Sequence, residues 1–506
     1  MKARLQLLIA ASCAATLLPA LAVRAQIATP SAPTRMKAIV YHDFGSPEVL
    51  RMEEIEKPVP SDNQLLIKVR GVSVNPLDWH FMEGTPYIGR PLAFGFLKPT
   101  VTRLGVDYAG TVEAVGKNIT AFKPGDEVYG NKFGAFAEYV VSTDKALALK
   151  PTNLTFEQAA SVPVAAVTAL QALRDNGKIQ PGQKVLINGA SGGVGTFAVQ
   201  IAKTLGAEVT GVCSGRNAEM VRALGADHVI DYTREDFTKG GERYDLILDN
   251  VGNQPLAGFR RVLNPRGIYV MIGGGGVKDD PWFGALVRPI KSLLLSRFIS
   301  QRLEPMLADM NRKDLTILAD LIQTGKVKPV IDKTYPFNQL PEAMRYLEEG
   351  HARGKVVITV GDNIEPMASS SDRTAGSAST PSPLLIALEL MAIPICVLIL
   401  PIIAALVLNR RFKRRHPDER GYRWGYYFSI MSVIAGLVFG LFLESRAIGV
   451  MICGLIYAVL ASFFIRRYHW AWIALTLLSF NPIAWMINAI YLWKRWKEEP
   501  LATGAI

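Results

Sequence analysis

The chain has 506 residues, of which 49% are hydrophobic, and it carries a net charge of +12 and four cysteines. This length allows about three domains. The positive charge does not predict nucleic-acid binding, because no basic face carries interleaved aromatic residues. Part of the excess of basic residues lies in 410–423, as is typical of a cytoplasmic loop in a membrane protein. Only Cys213 belongs to the predicted soluble part, which excludes a disulfide framework there.

The N-terminal residues 1–25 have the pattern of a secretory signal peptide. Two basic residues precede the apolar run 5–21, and residues 23–25 match a cleavage site. Two alternatives stay open: the segment is an uncleaved anchor, or translation begins at Met36, where the folded pattern starts.

The central part of the chain changes from a strand pattern to an alternating pattern. Residues 36–154 contain short alternating apolar segments broken by Gly, Pro and Asp, which predict a small β-barrel domain. A helical pattern follows at 156–176, and strands then alternate with helices, which predicts a parallel sheet with covering helices. Residues 282–325 are predicted to form a helical insertion.

The stretch 181–217 predicts a dinucleotide site. A strand at Lys184–Asn188 ends in a turn of small residues, a helix follows at Thr196–Leu205, and a second strand runs over Glu208–Cys213. Small residues let the main chain approach a pyrophosphate at the helix N-terminus. The turn contributes five predicted cofactor-binding residues, in which Ala replaces the first glycine of the usual fingerprint: Ala190, Gly192, Gly193, Val194 and Gly195.

The end of the second strand indicates which dinucleotide binds. An NAD site has Asp or Glu there for the ribose 2′-hydroxyl, whereas this chain has Ser214, Arg216 and Asn217. Because an arginine is present to bind a 2′-phosphate, the sequence favours NADP(H). The alternative is that Arg216 is a solvated loop cation.

Several motifs occur in an order that identifies a family. They are SVNPLDW (73–79), GVDYAGTV (105–112), NGASGGVG (188–195), LGADHVIDY (224–232) and GHARGKVVI (350–358). Residues 36–360 thereby resemble the zinc-independent members of the medium-chain dehydrogenase/reductase superfamily, in the quinone oxidoreductase (zeta-crystallin-like) branch.

The resemblance implies an α/β fold in two domains. A GroES-like β-barrel would comprise 36–158 together with 326–360, and a Rossmann domain with a doubly wound parallel sheet would comprise 159–325, with the active site in the cleft between them. The resemblance also implies NADPH as the hydride donor and a homodimer.

The chain departs from the zinc-dependent relatives at their metal ligands. It has Asn75 to Asp78 where they carry a catalytic Cys, and Val106-Asp107 where they carry a His-Glu pair. His80 could lie near Asp78 and Asp107, but the histidines show no paired spacing. No metal site is predicted.

Reduction without a metal needs a hydrogen-bond donor and a proton source for the acceptor oxygen. By its match to the family motif, Asn75 is predicted to orient the substrate or the nicotinamide, and Asp78 to brace that loop or relay a proton. The alternative is a purely structural Asx-type turn around Pro76.

Further cofactor residues come from family positions and from the carboxyl edge of the sheet. Thr168 matches a position near the nicotinamide, and Tyr232 matches one beside the 2′-phosphate. Lys355 is predicted to reach a phosphate, with a surface lysine as the alternative. Strand ends at the ligand-binding edge add Asn250, Gly273 and Gly274.

The C-terminal quarter predicts an α-helical membrane region. Residues 361–383 have the composition of a linker, and four apolar stretches of about bilayer length follow within 384–493. The basic loop 410–423 would place the enzyme domain outside the membrane, whereas the supply of NADPH would place it in the cytoplasm, so its side stays open.

Together these patterns predict a multi-pass cell-membrane protein that transfers hydride from NADPH to a quinone or an α,β-unsaturated carbonyl without zinc. A non-catalytic NADP(H)-binding module that reports redox state to a membrane domain is the alternative. An alcohol dehydrogenase acting on simple carbonyls is disfavoured, because the zinc ligands are absent from the sequence.

Overall fold

The computed structural model describes residues 35–273, 284–362, 364–367 and 414. The chain divides into two compact units, 1–378 and 379–506, and all described residues except Arg414 belong to the first. The predicted signal peptide, Gly274 and the four apolar stretches lie outside the described residues, so the predictions about them stay predictions. Within the described part of the chain, no helix has the length and apolarity to cross a membrane.

Fifteen strands form the sheets of the described residues. In chain order they are β1 (Arg35–Val40), β2 (Arg51–Glu56), β3 (Leu65–Val74), β4 (Asp107–Val115), β5 (Glu127–Asn131), β6 (Tyr139–Ser142), β7 (Leu147–Leu149), β8 (Lys184–Asn188), β9 (Glu208–Cys213), β10 (His228–Asp231), β11 (Tyr244–Asp249), β12 (Leu263–Met271), β13 (Arg302–Pro305), β14 (Ile331–Pro336) and β15 (Lys355–Thr359).

Nine α-helices accompany these strands in the described residues. They are α1 (Pro76–Glu83), α2 (Phe156–Ala160), α3 (Pro163–Gln171), α4 (Gly193–Thr204), α5 (Ala218–Ala223), α6 (Leu256–Val262), α7 (Gly284–Leu295), α8 (Arg312–Gln323) and α9 (Leu340–Glu348).

The N-terminal strands and the last two strands build one mainly antiparallel sheet. Its order is β14-β15-β3-β4-β5-β7, with β6 also paired to β3, and β1 and β2 form a separate ribbon. The strands contribute buried apolar side chains, among them Ile67 and Val112, which pack into a core with Met344 of α9. Because β15 pairs with β3, the end of the described chain returns to the domain where it began.

The second sheet is parallel throughout, in the order β10-β9-β8-β11-β12-β13. Its order reverses at β8, and ligands of such sheets bind at the carboxyl ends of the strands beside that reversal. The apolar faces of α3, α4 and α8 cover one side and contribute Phe197, Ile201 and Leu318 to a buried core. The predicted α/β fold of a β-rich domain followed by a parallel sheet is confirmed.

Three local boundaries differ from the predicted ones. The helical pattern 156–176 is divided into α2 and α3, since Pro163 lacks the N–H needed inside a helix and starts a new one. The predicted insertion 282–325 contains a sixth parallel strand, β13, which is only four residues long. The predicted linker begins as packed chain, because Ile364 is buried and its carbonyl accepts a hydrogen bond from Lys37 Nζ.

Candidate active site

The turn between β8 and α4 is closely packed around its own main chain. Gly189 has a φ of 79°, and a Cβ at Gly195 would lie 2.1 Å from the Gly189 carbonyl oxygen. Ala190 takes the place of the first glycine because its methyl faces Gly211 of β9, where a Cβ would come within 3.0 Å. Gly195 is therefore a position in the turn where a side chain would collide with the main chain.

α4 begins inside this turn, three residues earlier than the sequence pattern predicted. Gly193 is its first residue, Gly192 is its N-cap, and no side chain caps it. The first N–H groups of a helix have no partner within the helix, and they carry a partial positive charge. The arrangement fits a pyrophosphate at the N-terminus of α4.

The loop after β9 is the predicted site for the adenosine ribose. Asn217 is 4% exposed, its Nδ2 donates to Ser191 Oγ at 3.1 Å, and its Oδ1 is buried without a partner. Arg216 is exposed, Ser214 is half-buried, and Tyr232 is 50% exposed at the end of the neighbouring strand. This region thus presents the exposed cation of Arg216 and the exposed ring of Tyr232. It also holds the buried amide of Asn217, whose Oδ1 has no hydrogen-bond partner.

Asp231 is a carboxylate in this region that sequence reasoning missed. β10 pairs with β9 so that Asp231 lies opposite Cys213, and a Cβ at Gly215 would come within 2.4 Å of Asp231 Oδ2. Hydrogen bonds from the Thr233 hydroxyl and main chain lower the pKa of Asp231. The usual sequence pattern places the acid at the end of the second strand, whereas the parallel pairing brings the end of the third strand, β10, alongside.

Asn250 directly follows β11, at the carboxyl edge of the parallel sheet. Its Nδ2 donates to the Asn188 carbonyl at 2.9 Å, while its Oδ1 is buried without a partner. A Cβ at Gly273 would lie 2.2 Å from the Asn250 carbonyl oxygen, so the two predicted residues are in direct contact. Gly274 lies outside the described residues. Thr168, in α3, is 7% exposed.

A dinucleotide fits these features of the parallel sheet. The turn carries no side chain at Gly192 and Gly193, so a ligand can approach its main chain closely, and the first N–H groups of α4 have no partner within the helix. The unpartnered Oδ1 atoms of Asn217 and Asn250 are acceptors without donors. Buried polar atoms are rarely left unsatisfied, so two of them beside this turn indicate that a ligand supplies their partners.

The predicted acceptor side centres on the start of α1. Asp78 is fully buried, and its two carboxylate oxygens accept from the main-chain N–H groups of Asn75 at 2.8 Å and Gly105 at 2.9 Å. Burial raises the pKa of Asp78 to about 7. This geometry is that of a capped turn around Pro76, which was the structural alternative for Asp78. The proton-relay role of Asp78 stays a prediction.

Both ends of the Asn75 amide also have protein partners. Nδ2 donates to Asp107 Oδ2 at 3.0 Å, and Oδ1 accepts from Lys355 Nζ at 2.5 Å. Lys355 is only 4% exposed, so it is not a surface lysine, and its Nζ also lies 3.5 Å from Asp107 Oδ2. Burial lowers the pKa of Lys355. Substrate orientation by Asn75 and phosphate binding by Lys355 stay predictions.

Asp107 joins this cluster to the helix that carries Thr168. Its Oδ1 accepts from the main-chain N–H of Val164 at 3.0 Å, and its Oδ2 accepts from Ser73 Oγ at 3.1 Å. Sequence reasoning noted Asp107 only where zinc-dependent relatives carry ligands. Its position in the motif GVDYAGTV, at the start of a buried strand, was the available signal.

The described residues contain no group of three or more His, Cys, Asp or Glu side chains arranged to hold a metal ion. His80 stacks on Trp79 with 3.8 Å between ring centroids, and its Nδ1 lies 3.3 Å from Thr85 Oγ1. Burial lowers the pKa of His80 to about 4, so the ring is neutral at physiological pH.

Two family models match parts of this chain. The family model described as alcohol dehydrogenase GroES-like domain matches residues 61–152, and the one described as zinc-binding dehydrogenase matches residues 224–358. The second description mentions zinc, for which the described residues offer no ligand group.

Curated relatives and solved structures extend the match. The chain is 35% identical to mouse mitochondrial NAD(P)H oxidoreductase RTN4IP1, covering 68% of this chain and 94% of the relative. It is 35% identical to tomato 2-methylene-furan-3-one reductase, covering 65% and 80%. The quinone oxidoreductase of Coxiella burnetii has a TM-score of 0.56 at 30% identity, covering 65% of this chain and 100% of that one.

The chain belongs to the zinc-independent quinone oxidoreductase family of medium-chain dehydrogenases/reductases. It is an NAD(P)H-dependent oxidoreductase, and its cofactor is NADP(H).

Proposed function

We propose that this protein is a membrane-attached reductase that transfers hydride from NADPH to a quinone or an α,β-unsaturated carbonyl without zinc. The observation that carries the proposal is the contact between the cofactor turn and the acceptor-side cluster. Gly192 of the turn pairs with Gly354 in a β-bridge, and the next residue, Lys355, contacts Asn75.

The chemistry needs one hydride and one proton for each acceptor. Bound NADPH supplies the hydride from C4 of its nicotinamide. For an enone, the hydride goes to the β-carbon and the developing enolate takes a proton at the α-carbon; a quinone takes both to become a quinol. The acceptor oxygen that becomes negative during the reaction needs a hydrogen-bond donor and a proton, and Asp78 is the proposed relay for that proton.

The names of relatives support both acceptor classes. They include a chloroplast envelope quinone oxidoreductase homolog and an NADPH-dependent alkenal/one oxidoreductase, both of Arabidopsis thaliana, at 32% and 36% identity. The furanone reductase of tomato also acts on a conjugated carbonyl by its name. We therefore keep the quinone and the enone as one proposed substrate class, a conjugated carbonyl.

Membrane attachment is proposed from the apolar stretches within 384–493 of the sequence. A lipid-soluble quinone would suit such an attachment. The side of the membrane that carries the enzyme domain stays undecided, because the basic loop 410–423 and the supply of NADPH favour opposite sides.

A homodimer is also proposed, through the edge of the parallel sheet. β13 is the last strand of the sheet, and its outer edge has no strand partner among the described residues. Phe298 and Leu307, on either side of it, are 85% and 97% exposed. An uncovered strand edge with exposed apolar side chains favours pairing with a second chain.

The test is NADPH oxidation by the purified full-length protein with 1,4-quinones and enones as acceptors. Turnover with one of these classes, and none with simple aldehydes or ketones, is the expected result. Tight NADPH binding without turnover on any acceptor would contradict the proposed reaction.

A further inference from the structure

A buried ion pair connects three parts of the candidate site: the cofactor turn, the start of α1 and the start of α3. Its members are Asp107, Lys355 and the groups that contact them: the Asn75 amide, the Ser73 hydroxyl and the Val164 main-chain N–H. We call this set the Asp107 junction. Asp107 is fully buried and Lys355 is 4% exposed, so neither charge is solvated.

The first link of the junction runs to the cofactor turn. Gly354 pairs with Gly192, and a Cβ built on Gly193 would lie 3.0 Å from Lys355 Cδ. Gly354 has a φ of 106°, and a Cβ there would be 2.3 Å from the Val330 carbonyl oxygen. The close approach of β15 to the turn therefore depends on a glycine immediately before the lysine.

The second link runs to the start of α1 and the third to the start of α3. Lys355 Nζ fixes Asn75 Oδ1, which turns Asn75 Nδ2 toward Asp107. The other oxygen of Asp107 accepts from Val164, one residue after Pro163 begins α3. α3 carries Thr168, the residue predicted beside the nicotinamide. One carboxylate thus holds the beginnings of two helices.

The ammonium of Lys355 is already occupied within this cluster. It has Asn75 Oδ1 at 2.5 Å and the Asp107 carboxylate at 3.5 Å, and it is shielded from solvent. A lysine that binds a phosphate needs its ammonium directed at the ligand. An ammonium directed at the Asp107 carboxylate and the Asn75 amide is instead suited to holding the neighbouring turn in place.

We propose that Lys355 and Asp107 are positioning residues for hydride transfer, which fix the cofactor turn, α1 and α3 in one relative arrangement, and that Lys355 does not bind a cofactor phosphate. This inference rests on the proposed function. A misplacement of about 1 Å between hydride donor and acceptor lowers a reaction rate about a hundredfold, so such residues act on the rate without touching the substrate.

The test is the double variant Lys355→Met/Asp107→Asn in the full-length protein. Removing both charges avoids an unpaired buried charge, which would destabilise the fold by itself. Lys326→Met, an exposed lysine on the turn after α8, is the matched control. Thermal unfolding, the equilibrium Kd for NADPH, kcat with an enone and the fluorescence of the bound nicotinamide are measured for each.

We expect the double variant to bind NADPH within about threefold of the wild-type Kd. Its kcat should fall by about tenfold or more, and the nicotinamide emission of bound NADPH should change. The emission needs no acceptor, so it tests the positioning role even if no acceptor supports turnover in the wild type. The control should match the wild type in all four measurements.

Two results would overturn the inference. A Kd for NADPH raised about tenfold or more, with kcat at saturation unchanged, would mean that Lys355 binds a cofactor phosphate. Unchanged kcat and unchanged emission would mean that the junction only stabilises the fold. Should the double variant fail to fold, Lys355→Met alone serves as the second variant, because Asp107 then keeps its hydrogen bonds from Asn75, Ser73 and Val164; the same expected and contrary results apply.

Discussion

Among single residues, Arg216 in the loop after β9 is the one predicted to distinguish NADPH from NADH. Arg216 is the exposed cation after β9, and Asp231 is a carboxylate held beside Gly215. A 2′-phosphate would gain a charge-assisted contact from the arginine, whereas a 2′-hydroxyl would not need it. We therefore expect Arg216 to favour NADPH over NADH, although Asp231 lies close to the same loop.

Replacement of Arg216 by Ala should therefore weaken NADPH binding and leave NADH binding nearly unchanged. A hydrogen bond to a charged group contributes about 1.5–3 kcal/mol, which corresponds to a roughly ten- to hundredfold rise in the Kd for NADPH. Titration of both dinucleotides into Arg216→Ala and into the control Arg222→Ala, an exposed arginine on α5, measures this. Equal weakening of NADH and NADPH would show that Arg216 does not select the phosphate.

The buried carboxyl of Asp78 gives a stability that depends on pH. Burial raises its pKa to about 7, above the value of about 3.9 expected in the unfolded chain. An acid with a raised pKa in the folded state stabilises the fold below the unfolded pKa, and this contribution is lost as the pH rises toward the folded pKa. Asp107 opposes the ionisation of Asp78, and Lys355 favours it.

The free energy of unfolding of the wild type should fall, relative to Asp78→Asn, as the pH rises from about 4 to about 7. Above that range the difference should stay constant. Urea unfolding at a series of pH values measures it, with exposed Asp43→Asn as the control. A difference that grows in the opposite direction over this range would mean that the hydrogen bonds to Asp78 outweigh its burial.

At the scale of elements, the β8–α4 turn depends on the absence of side chains. Gly195→Ala would place a methyl 2.1 Å from the Gly189 carbonyl oxygen, a main-chain atom that cannot swing away. We expect a loss of about 1–3 kcal/mol in the free energy of unfolding, together with weaker NADPH binding. Gly241→Ala is the control, because its Cβ would meet nothing within 4 Å. Wild-type stability and affinity in Gly195→Ala would contradict the described packing of the turn.

Helix α7 contacts the end of β11, at the carboxyl edge of the parallel sheet. Arg288 of α7 donates to the Gln254 carbonyl at 2.8 Å and lies 3.3 Å from Asp249, which is fully buried at the end of β11. Tyr269 donates to the same carboxylate at 2.6 Å. α7 is thereby held against the strand end that carries Asn250.

At the scale of the whole molecule, the sequence predicted the elements with strong patterns and missed contacts between distant elements. The apolar runs of β8 and β9 and the glycine turn between them were sufficient to predict the parallel sheet and a dinucleotide cofactor. β13 was missed, because a four-residue edge strand with charged residues has no pattern of its own. The beginning of α3 was also missed, because Pro163 interrupts the helical pattern 156–176 and starts a new helix.

The candidate site was only partly predictable for the same reason. Asn75, Lys355 and Asp107 are separated by 32 to 280 positions, and their contact arises because β15 pairs with β3 and β3 pairs with β4. Each of these residues lies in a motif, but a motif does not show which polar groups form hydrogen bonds with one another. Asp231 was missed because its relation to Gly215 depends on the parallel pairing of β10 with β9.

The central claim is direct hydride transfer from the bound nicotinamide to a conjugated carbonyl. The measurement that tests it most directly uses NADPH with deuterium at the transferred position of C4 and an enone acceptor. Direct transfer should leave one deuterium at the β-carbon of the saturated product and a proton from water at the α-carbon. A product without deuterium at the β-carbon would rule out direct hydride transfer to that carbon.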